Sequence, residues 1–370
     1  MAGQVSIGVF NFYNMLYNRE LAKRFISDYK LPIPLINEEY FFYHLNLYQD
    51  DYGSLEKYNQ LLDMINKKYD GDCNKFLEDY YDVRDKIITT VMDSEAFQKF
   101  NTMDMNVFTI KDRLNITSNN IYNNDNIGEF FISIDLKKAN FQTLRNIDKD
   151  IVFGADTYKD LIEHFTDSEY VANSKYFRNV VFGMMNPKRH ITAEKYFITQ
   201  IYKKVIEQFP HLSDKCVSLS NDEMIFKVDF LRYNDKLTCF ALRRDIEKIA
   251  KEIGFDVHVE FFHLRGYNLM FKERRSVRKT FFMKDYFCTD GKFKLIGVPL
   301  QYHSIAYKLY KGKELSEIDY HFDYEGMNAR FCEEFDIEEI TNKNNNKNEK
   351  QIASMAVSQA NALITELKKL

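Results

Sequence analysis

The sequence predicts an α+β protein, an antiparallel sheet backed by helices and preceded by a mainly helical amino-terminal region. Three observations carry this reading. Apolar residues recur at helical spacing through much of residues 1–115. Beyond residue 128 the period changes, and short apolar runs rich in aromatic and β-branched residues alternate with amphipathic stretches. The resulting order of strand, helix, hairpin, helix and strand closes an antiparallel sheet with helices packed on it.

Each element has a local justification. Residues 55–65 and the run from Cys73 to Phe100, in two pieces, place apolar side chains on helical faces, and Asp50-Asp51-Tyr52-Gly53 reads as a turn between helices. The Asn-rich stretch 118–126 is a polar loop, so residues 1–127 form the helical amino-terminal region. Residues 129–136 (Glu-Phe-Phe-Ile-Ser-Ile-Asp-Leu) read as a buried strand ending in a carboxylate. Residues 156–170 and 172–184 read as short helices and 191–209 as a long amphipathic one. Residues 217–228 carry strand-type residues on both sides of a polar tip and read as a β-hairpin; 237–253 is helical and 255–264 a strand. These elements make residues 128–264 the core, followed by a basic region at 265–340 and an Asn/Lys linker at 341–351. In the last segment, 352–370, Ile352, Met355, Ala356, Leu363, Leu367 and Leu370 fall near one helical face, for docking on the chain itself or on a partner protein.

Composition narrows the class. With 370 residues, 45% of them hydrophobic and 29% charged, the chain can bury a core of two or three substructures, which excludes wholesale disorder. The cysteines (73, 216, 239, 288 and 332) form no CxxC pair and the histidines no HxxxH or HExxH group, which argues against a disulfide framework or zinc knuckle and for reduced thiols in a cytoplasm. No signal peptide and no run of roughly 18 apolar residues is found, so a soluble protein with no membrane partner is expected. Absent Trp, scarce Pro and Gly, and many Asn, Lys and Ile residues point to an AT-rich coding genome of viral or phage kind, hence a host cytoplasm. Net charge is −4, yet residues 265–313 hold 12 basic residues against 3 acidic ones, a local basic face able to grip a phosphate backbone.

The chemistry-bearing residues fall in a definite order. Asp135 closes a predicted strand, and Asp222 with Glu223 sits at a predicted hairpin tip. Phosphoryl transfer by two divalent ions needs such oxygen ligands on neighbouring elements, and the Leu136 carbonyl adds one more. Between them, Lys175 and Asn179 share a helical face, so that the Lys meets a triphosphate and the Asn region supports a base pair. The Phe182-Gly183 pair just beyond marks a close approach.

At these residues the chain resembles the palm of family B DNA polymerases. The family's D-x-x-S-L-Y-P-S-I motif, with its following Arg, is similar to Asp135-Leu-Lys-Lys-Ala-Asn140-Phe141-Gln-Thr-Leu-Arg145. Its K-x-x-x-N-S-x-Y-G is similar to Lys175–Gly183, with Phe182 for Tyr and Val180 for Ser. Its D-T-D-S resembles Ser220-Asn221-Asp222-Glu223, and its K-K-x-Y, followed by a D-G turn and a K-G, resembles Arg278-Lys279-Thr-Phe281, Asp290-Gly291-Lys292 and Gly297. The likeness covers about residues 130–300, and its specificity lies in the order of the motifs.

The resemblance implies a palm-type sheet and template-dependent nucleotidyl transfer, as a DNA polymerase or primase-like enzyme acting in replication. Two Mg²⁺ or Mn²⁺ ions would be held by Asp135, Leu136, Asp222 and Glu223, with Asp135, Asp222 and Glu223 catalytic. Nucleoside triphosphates would be bound by Leu136, Asn140, Phe141, Lys175, Asn179, Phe182 and Gly183. Primer–template nucleic acid would be held by Arg278, Lys279 and Phe281, with Arg265, Arg274 and Arg275 of the basic region. Ser220 stands where the family has its first hairpin Asp, so Asp222 is left to Glu223, or to nothing, for support. Asn140 stands at the position of the sugar-selecting aromatic, with Phe141 beside it. About 40 residues separate the first two motifs, so the fingers are very small. No F-D-x-E pattern occurs in residues 1–128, so no proofreading is expected. Three alternatives stay open: a reverse-transcriptase-like palm with Asp222-Glu223 as its acidic pair, a catalytically silent palm serving nucleic-acid binding or assembly, and an unrelated α+β protein.

Overall fold

The computed structural model describes residues 17–110, 116–229, 233, 235–287 and 291–341. The fold is α+β, as the sequence predicts. The linker from residue 342, the amphipathic segment 352–370, Cys288 and Asp290 lie outside the described residues. Among those described, no helix is long and apolar enough to cross a membrane.

Six helices open the chain: α1 (Arg19–Tyr29), α2 (Glu38–Leu47), α3 (Gln49–Tyr52), α4 (Ser54–Tyr69), α5 (Cys73–Asp93) and α6 (Glu95–Thr102). Strand β1 (Phe130–Leu136) follows, then α7 (Ala139–Ile147), α8 (Tyr158–Glu163), α9 (Glu169–Asn173), α10 (Lys175–Gly183) and the long α11 (Pro187–Gln208). The hairpin β2 (Cys216–Leu219) and β3 (Glu223–Val228) leads to α12 (Lys236–Ile253), β4 (Val257–Phe271), β5 (Val277–Tyr286) and β6 (Phe293–Ile296). The chain continues through α13 (Leu300–Tyr310), the small hairpin β7 (His321–Tyr324) and β8 (Met327–Arg330), and β9 (Phe335–Glu339).

The chain divides into two compact units interleaved along the sequence. A helical unit holds Met1–Ile110, Lys138–Phe197 and Pro299–Cys332; a sheet unit holds Lys111–Lys137, Ile198–Val298 and Glu333–Leu370.

In the helical unit, side-chain caps set the boundaries. Asn18, Asn37, Asp72 and Ser94 each accept a backbone N–H of the following first turn, and Ser94 thereby separates α5 from α6. Two boundaries differ from the sequence reading. Asp50–Tyr52 is a helical turn, and the break falls on Gly53 alone, whose φ of 60° a side chain would strain. The helix expected over 172–184 is two, because the Ser174 hydroxyl accepts the Phe177 N–H and restarts the helix as α10. The core is aromatic: the Tyr58 ring meets Phe25 at 5.0 Å and Phe41 at 4.9 Å, both near edge-on.

Inside that core lies a buried carboxylate cluster. Asp28, fully buried on α1, pairs with Arg24 one turn earlier at 3.2 Å. It accepts hydrogen bonds from Tyr80 (2.7 Å), Tyr170 (2.7 Å) and Ser174 (2.8 Å). These bonds tie α1, α5 and α9 to the start of α10, and the Arg24 guanidinium lies 3.9 Å over the Tyr176 ring.

The sheet unit is built on seven antiparallel strands in the order β2-β3-β1-β4-β5-β6, with β9 pairing β4 beyond the first residue of β1. The path β1, α11, β2, β3, α12, β4 with spatial order 2-3-1-4 is the split βαβ arrangement, with α7–α10 inserted before α11. Strand β1 pairs along both edges, from Phe130 opposite Val228 and His263 to Asp135 opposite Glu223 and His258. Its alternate residues Ile132 and Ile134 face the helices, where Tyr202 of α11 stacks on Phe226 at 6.1 Å and Arg243 of α12 lies over Phe261. The opposite face carries Phe131, Ile225, Phe262 and Leu264 under Ile121 and Tyr122 of the 116–127 segment. Strand β4 runs seven residues past the expected end at Leu264, because its distal half finds partners in β5 and β9. Gly266 permits this packing, since a Cβ there would lie 2.3 Å from Ile127 Cδ1.

Removing the buried carboxylate strands a buried guanidinium, so Asp28→Ala is expected to destabilise the protein by about 3–5 kcal/mol. Urea unfolding measures this; a change within error of wild type would show that the cluster does not hold α10.

Candidate functional site

The backbone of three candidate residues, Asp135, Asp222 and Glu223, comes together where β1 ends. The Leu136 N–H donates to the Asp222 carbonyl at 2.8 Å, which fastens the β2–β3 tip to the end of β1. This bond makes Asp135 and Glu223 a non-hydrogen-bonded pair, the kind whose Cα atoms lie about 4.5 Å apart with side chains on one face. That face is the one the helices do not cover, because Asp135 alternates with Ser133 and Phe131. Asp135 is half-buried and Asp222 exposed.

Ser220 has a structural task in this tip. Its N–H donates to the Glu223 carbonyl at 2.8 Å, and its hydroxyl oxygen accepts the Glu223 N–H at 3.0 Å. The same hydroxyl lies 3.2 Å from both Asp222 Oδ1 and the Glu223 carbonyl, and its one proton serves either acceptor. Asp222 is therefore supported by Ser220, where the sequence left it to Glu223; a Ser fits because its hydroxyl closes the turn onto the backbone.

Glu223 turns away from the tip. Its carboxylate accepts the Ser133 hydroxyl at 2.6 Å, one row inward on β1. Ser133 lies opposite Glu260 of β4, and Glu260 pairs with Lys284 of β5 at 3.0 Å and with His258 at 3.2 Å. The Lys284 stem comes back along the sheet so that its ammonium lies 4.5 Å from the centre of the Phe262 ring, and the side chain is buried. Burial alone would raise the Glu260 pKa, but the His258 hydrogen bond and the Lys284 charge outweigh it and hold it at about 2. Burial would lower the Lys284 pKa, but Tyr122, Glu260 and Glu223 raise it above its ordinary value. Burial and Glu260 also push the Tyr286 phenol well up.

The other nucleotide candidates belong to the helical unit. Lys175 and Asn179 are exposed on α10 one turn apart, with Gly183 a turn further on. A Cβ at Gly183 would meet nothing within 4 Å and its φ is not in the left-handed region, so no close approach within this chain demands the glycine there. Phe141 and Phe182 are core residues packed at 6.2 Å and 6.1 Å against Tyr158, and Asn140 is half-buried at the start of α7.

The basic face is altered most by folding. Strand β9 and the two residues before it lay carboxylates along β4: Glu334 pairs Lys272, Glu333 pairs Arg274, and Asp336 and Glu338 pair Arg275. Arg265 is held between Asp285 and Glu339 at 3.1 Å and 3.2 Å. The basic and acidic segments that the sequence keeps apart are therefore neighbours, and the net-positive face expected from the count is neutralised along this edge. Arg278 lies over the Phe271 ring, Lys279 is half-buried on β5, and Phe281 is fully buried against Tyr267.

Sequence reasoning missed Ser133, Glu260 and Lys284. Their signal is a lone polar residue at a buried register in otherwise apolar runs: Ile132-Ser133-Ile134, Val259-Glu260-Phe261 and Met283-Lys284. Asp135 and Asp222 supply oxygens of the kind a hard divalent ion takes. Among the described residues, no group of three or more His, Cys, Asp or Glu side chains is drawn close enough to hold a metal ion. No family model, no curated protein and no solved structure matches this chain.

Because the folded Glu260 pKa lies below its ordinary 4.5, its contribution is complete above that value and is lost as pH falls toward about 2. Between those limits wild-type stability should fall by on the order of 2 kcal/mol more than that of Glu260→Gln. Urea midpoints across the range measure the difference, and equal slopes would refute the pairing.

Proposed function

We propose that this chain carries out template-dependent nucleotidyl transfer on a palm-type sheet like that of family B DNA polymerases. The observation that carries the reading is the backbone bond from Leu136 to Asp222, which sets the hairpin tip beside Asp135 at the end of the central strand of a split βαβ sheet. Asp135 and Asp222, with the Leu136 carbonyl, would hold Mg²⁺ or Mn²⁺, which when bound supplies a Lewis acid for the attacking hydroxyl and the phosphate oxygens. Ser220 holds the hairpin tip and orients the Asp222 carboxylate. The assignment of Lys175 to the triphosphate and of Asn179 to the nucleotide rests on their motif. Arg278 and Lys279 are assigned to the template backbone. Arg265, Arg274 and Arg275 reach phosphate only by exchanging their carboxylate partners, an exchange that exposed pairs of small net energy permit.

A catalytically silent palm that binds nucleic acid is the second reading. It is favoured by the engagement of Glu223 with Ser133 and by Ser220 at a position the family fills with Asp. A reverse-transcriptase-like acidic pair is less well supported, since it would need Glu223 beside Asp222 at the tip.

Extension of a labelled primer–template with Mg²⁺ or Mn²⁺ and either deoxy- or ribonucleotides decides between them. The proposal expects extension, with Asp135→Ala and Asp222→Ala each slower by a factor of about 10²–10³. Extension unchanged in both variants would refute it, and binding without extension would leave the silent palm.

Neutralising Arg278 and Lys279 together should reduce the slope of log K against log salt by about 2. The pair Glu338→Gln and Glu339→Gln should steepen that slope by removing one of the two carboxylates that hold Arg275 and one of the two that hold Arg265. Titration of a fluorescent single strand at several salt concentrations reads both effects.

A further inference from the structure

We infer that residues 300–330 form an acid-sensitive clasp, in which α13 and the turn after it close on α2 and α3 around two buried imidazoles, His44 and His303, whose protonation opens it. The inference stands apart from the nucleotidyl-transfer reading and concerns the helical unit alone.

The closure is polar. Tyr40 donates to the Ile318 carbonyl at 2.7 Å and Tyr43 to Asp319 at 2.8 Å, both in the turn Glu317–Tyr320. Lys308 of α13 pairs with Asp319 at 2.6 Å, and Tyr307 and Lys311 engage Asp51 of α3. Within this seam His44 is 1% exposed and His303 7%. His44 donates its Nδ1 proton to the Tyr40 carbonyl at 2.7 Å, and its Nε2 has no partner among the described residues. His303 Nδ1 lies 2.9 Å from the hydroxyl of Tyr48, itself fully buried.

The groups around the rings leave no room for further positive charge. From its own stretch of chain His44 faces Tyr40, Tyr43 and Tyr48. From α13 it meets Lys308 and His303, and from the turn Asp319. His303 faces Tyr48 and His44. The Asp319 carboxylate already takes Lys308, Tyr43 and the hydroxyl and N–H of Ser316. Asp51 is held by Tyr307 and Lys311, and Glu317 faces His321 at 3.6 Å, beyond the Tyr40 ring. Protonated imidazoles would thus share one carboxylate with Lys308, at a desolvation cost that opening removes. Burial pushes the His44 imidazole down to about 4; the Tyr40 bond and Asp319 oppose the shift, and Lys308 adds to it. Burial also pushes His303 down to about 4, and His44 adds to that. Both folded values lie below the ordinary 6.5, so this part of the stability is complete above that pH and is lost as pH falls toward 4. His44 is the one histidine in residues 1–110, so α1, α4 and α5 carry no imidazole to titrate.

Hydrogen exchange of the full-length protein, read by mass spectrometry at pH 7.5 and pH 5 and corrected for the intrinsic rate, tests this. The opening constant of residues 300–320 should rise by about thirtyfold for each histidine, about 10³-fold in all, while that of α4 and α5 rises by less than about tenfold. His44→Gln and His303→Gln should each cut the rise by about tenfold or more, and the pair should remove it. His190→Gln is the control: that buried imidazole packs on Phe100 and Phe182, and its loss should leave the rise as in wild type. The wild-type comparison of the two regions needs no variant, so it decides even if the substituted chains do not fold. A rise in 300–320 no larger than in α4 and α5, or one that persists in the double variant, overturns the inference.

Discussion

The pairing of β1 on both of its edges is the constraint on which the sheet unit depends. A strand hydrogen-bonded to β3 on one side and β4 on the other cannot slip by a residue without turning every side chain to the wrong face. Its six residues from Phe130 to Asp135 have partners in both neighbours, so its register fixes theirs. Ile132 and Ile134 are committed to the helices, while Phe131, which stacks on Phe262 at 5.5 Å, is committed to the other face. Ser133 and Asp135 then have no choice of side. The apolar alternation that holds the sheet together is the same fact that delivers the carboxylate to the open face.

Charge is used in two ways on this sheet, and burial separates them. Along the β4–β9 edge the ion pairs are solvated, with Arg275 and Glu338 each more than half exposed, and such pairs contribute little to stability. Near β1 the Lys284 side chain is 6% exposed, and its partner Glu260 21%. Here the desolvation cost is large, so the pair serves to define one arrangement of the polar residues more than to add stability. The buried Asp28 with its three hydroxyl donors acts in the same way in the helical unit, where Ser174 joins it to the first turn of α10.

What the sequence disclosed follows from the range of the interactions involved. The β1 strand, the β2–β3 hairpin, α11 and α12 were legible because their signals are periodic and local. The placing of Asp135 on β1 and of Asp222 at the hairpin tip was also legible, through the order of the elements that carry them. The neutralised basic edge was not, because counting residues 265–313 cannot show that residues 333–339 return as a strand against β4. Glu260 and Lys284 were likewise hidden, since they lie far apart in the chain and become partners only through the β4–β5 register. The split at Ser174 was a local signal that a continuous apolar face outweighed.

The interleaving of the two units has a consequence for how the molecule is made. The backbone passes from one unit to the other at residues 110–111, 137–138, 197–198, 298–299 and 332–333. No cut at one peptide bond can release either unit whole, and no contiguous stretch of the gene encodes one. During synthesis, the sheet unit lacks β9 until residues 335–339 have left the ribosome, and the helical unit lacks α13 until well past residue 300. The helical unit needs residues as late as 332 and the sheet unit residues as late as 339, so neither is complete after only the first part of synthesis, and the usual order in which an amino-terminal domain folds first does not apply.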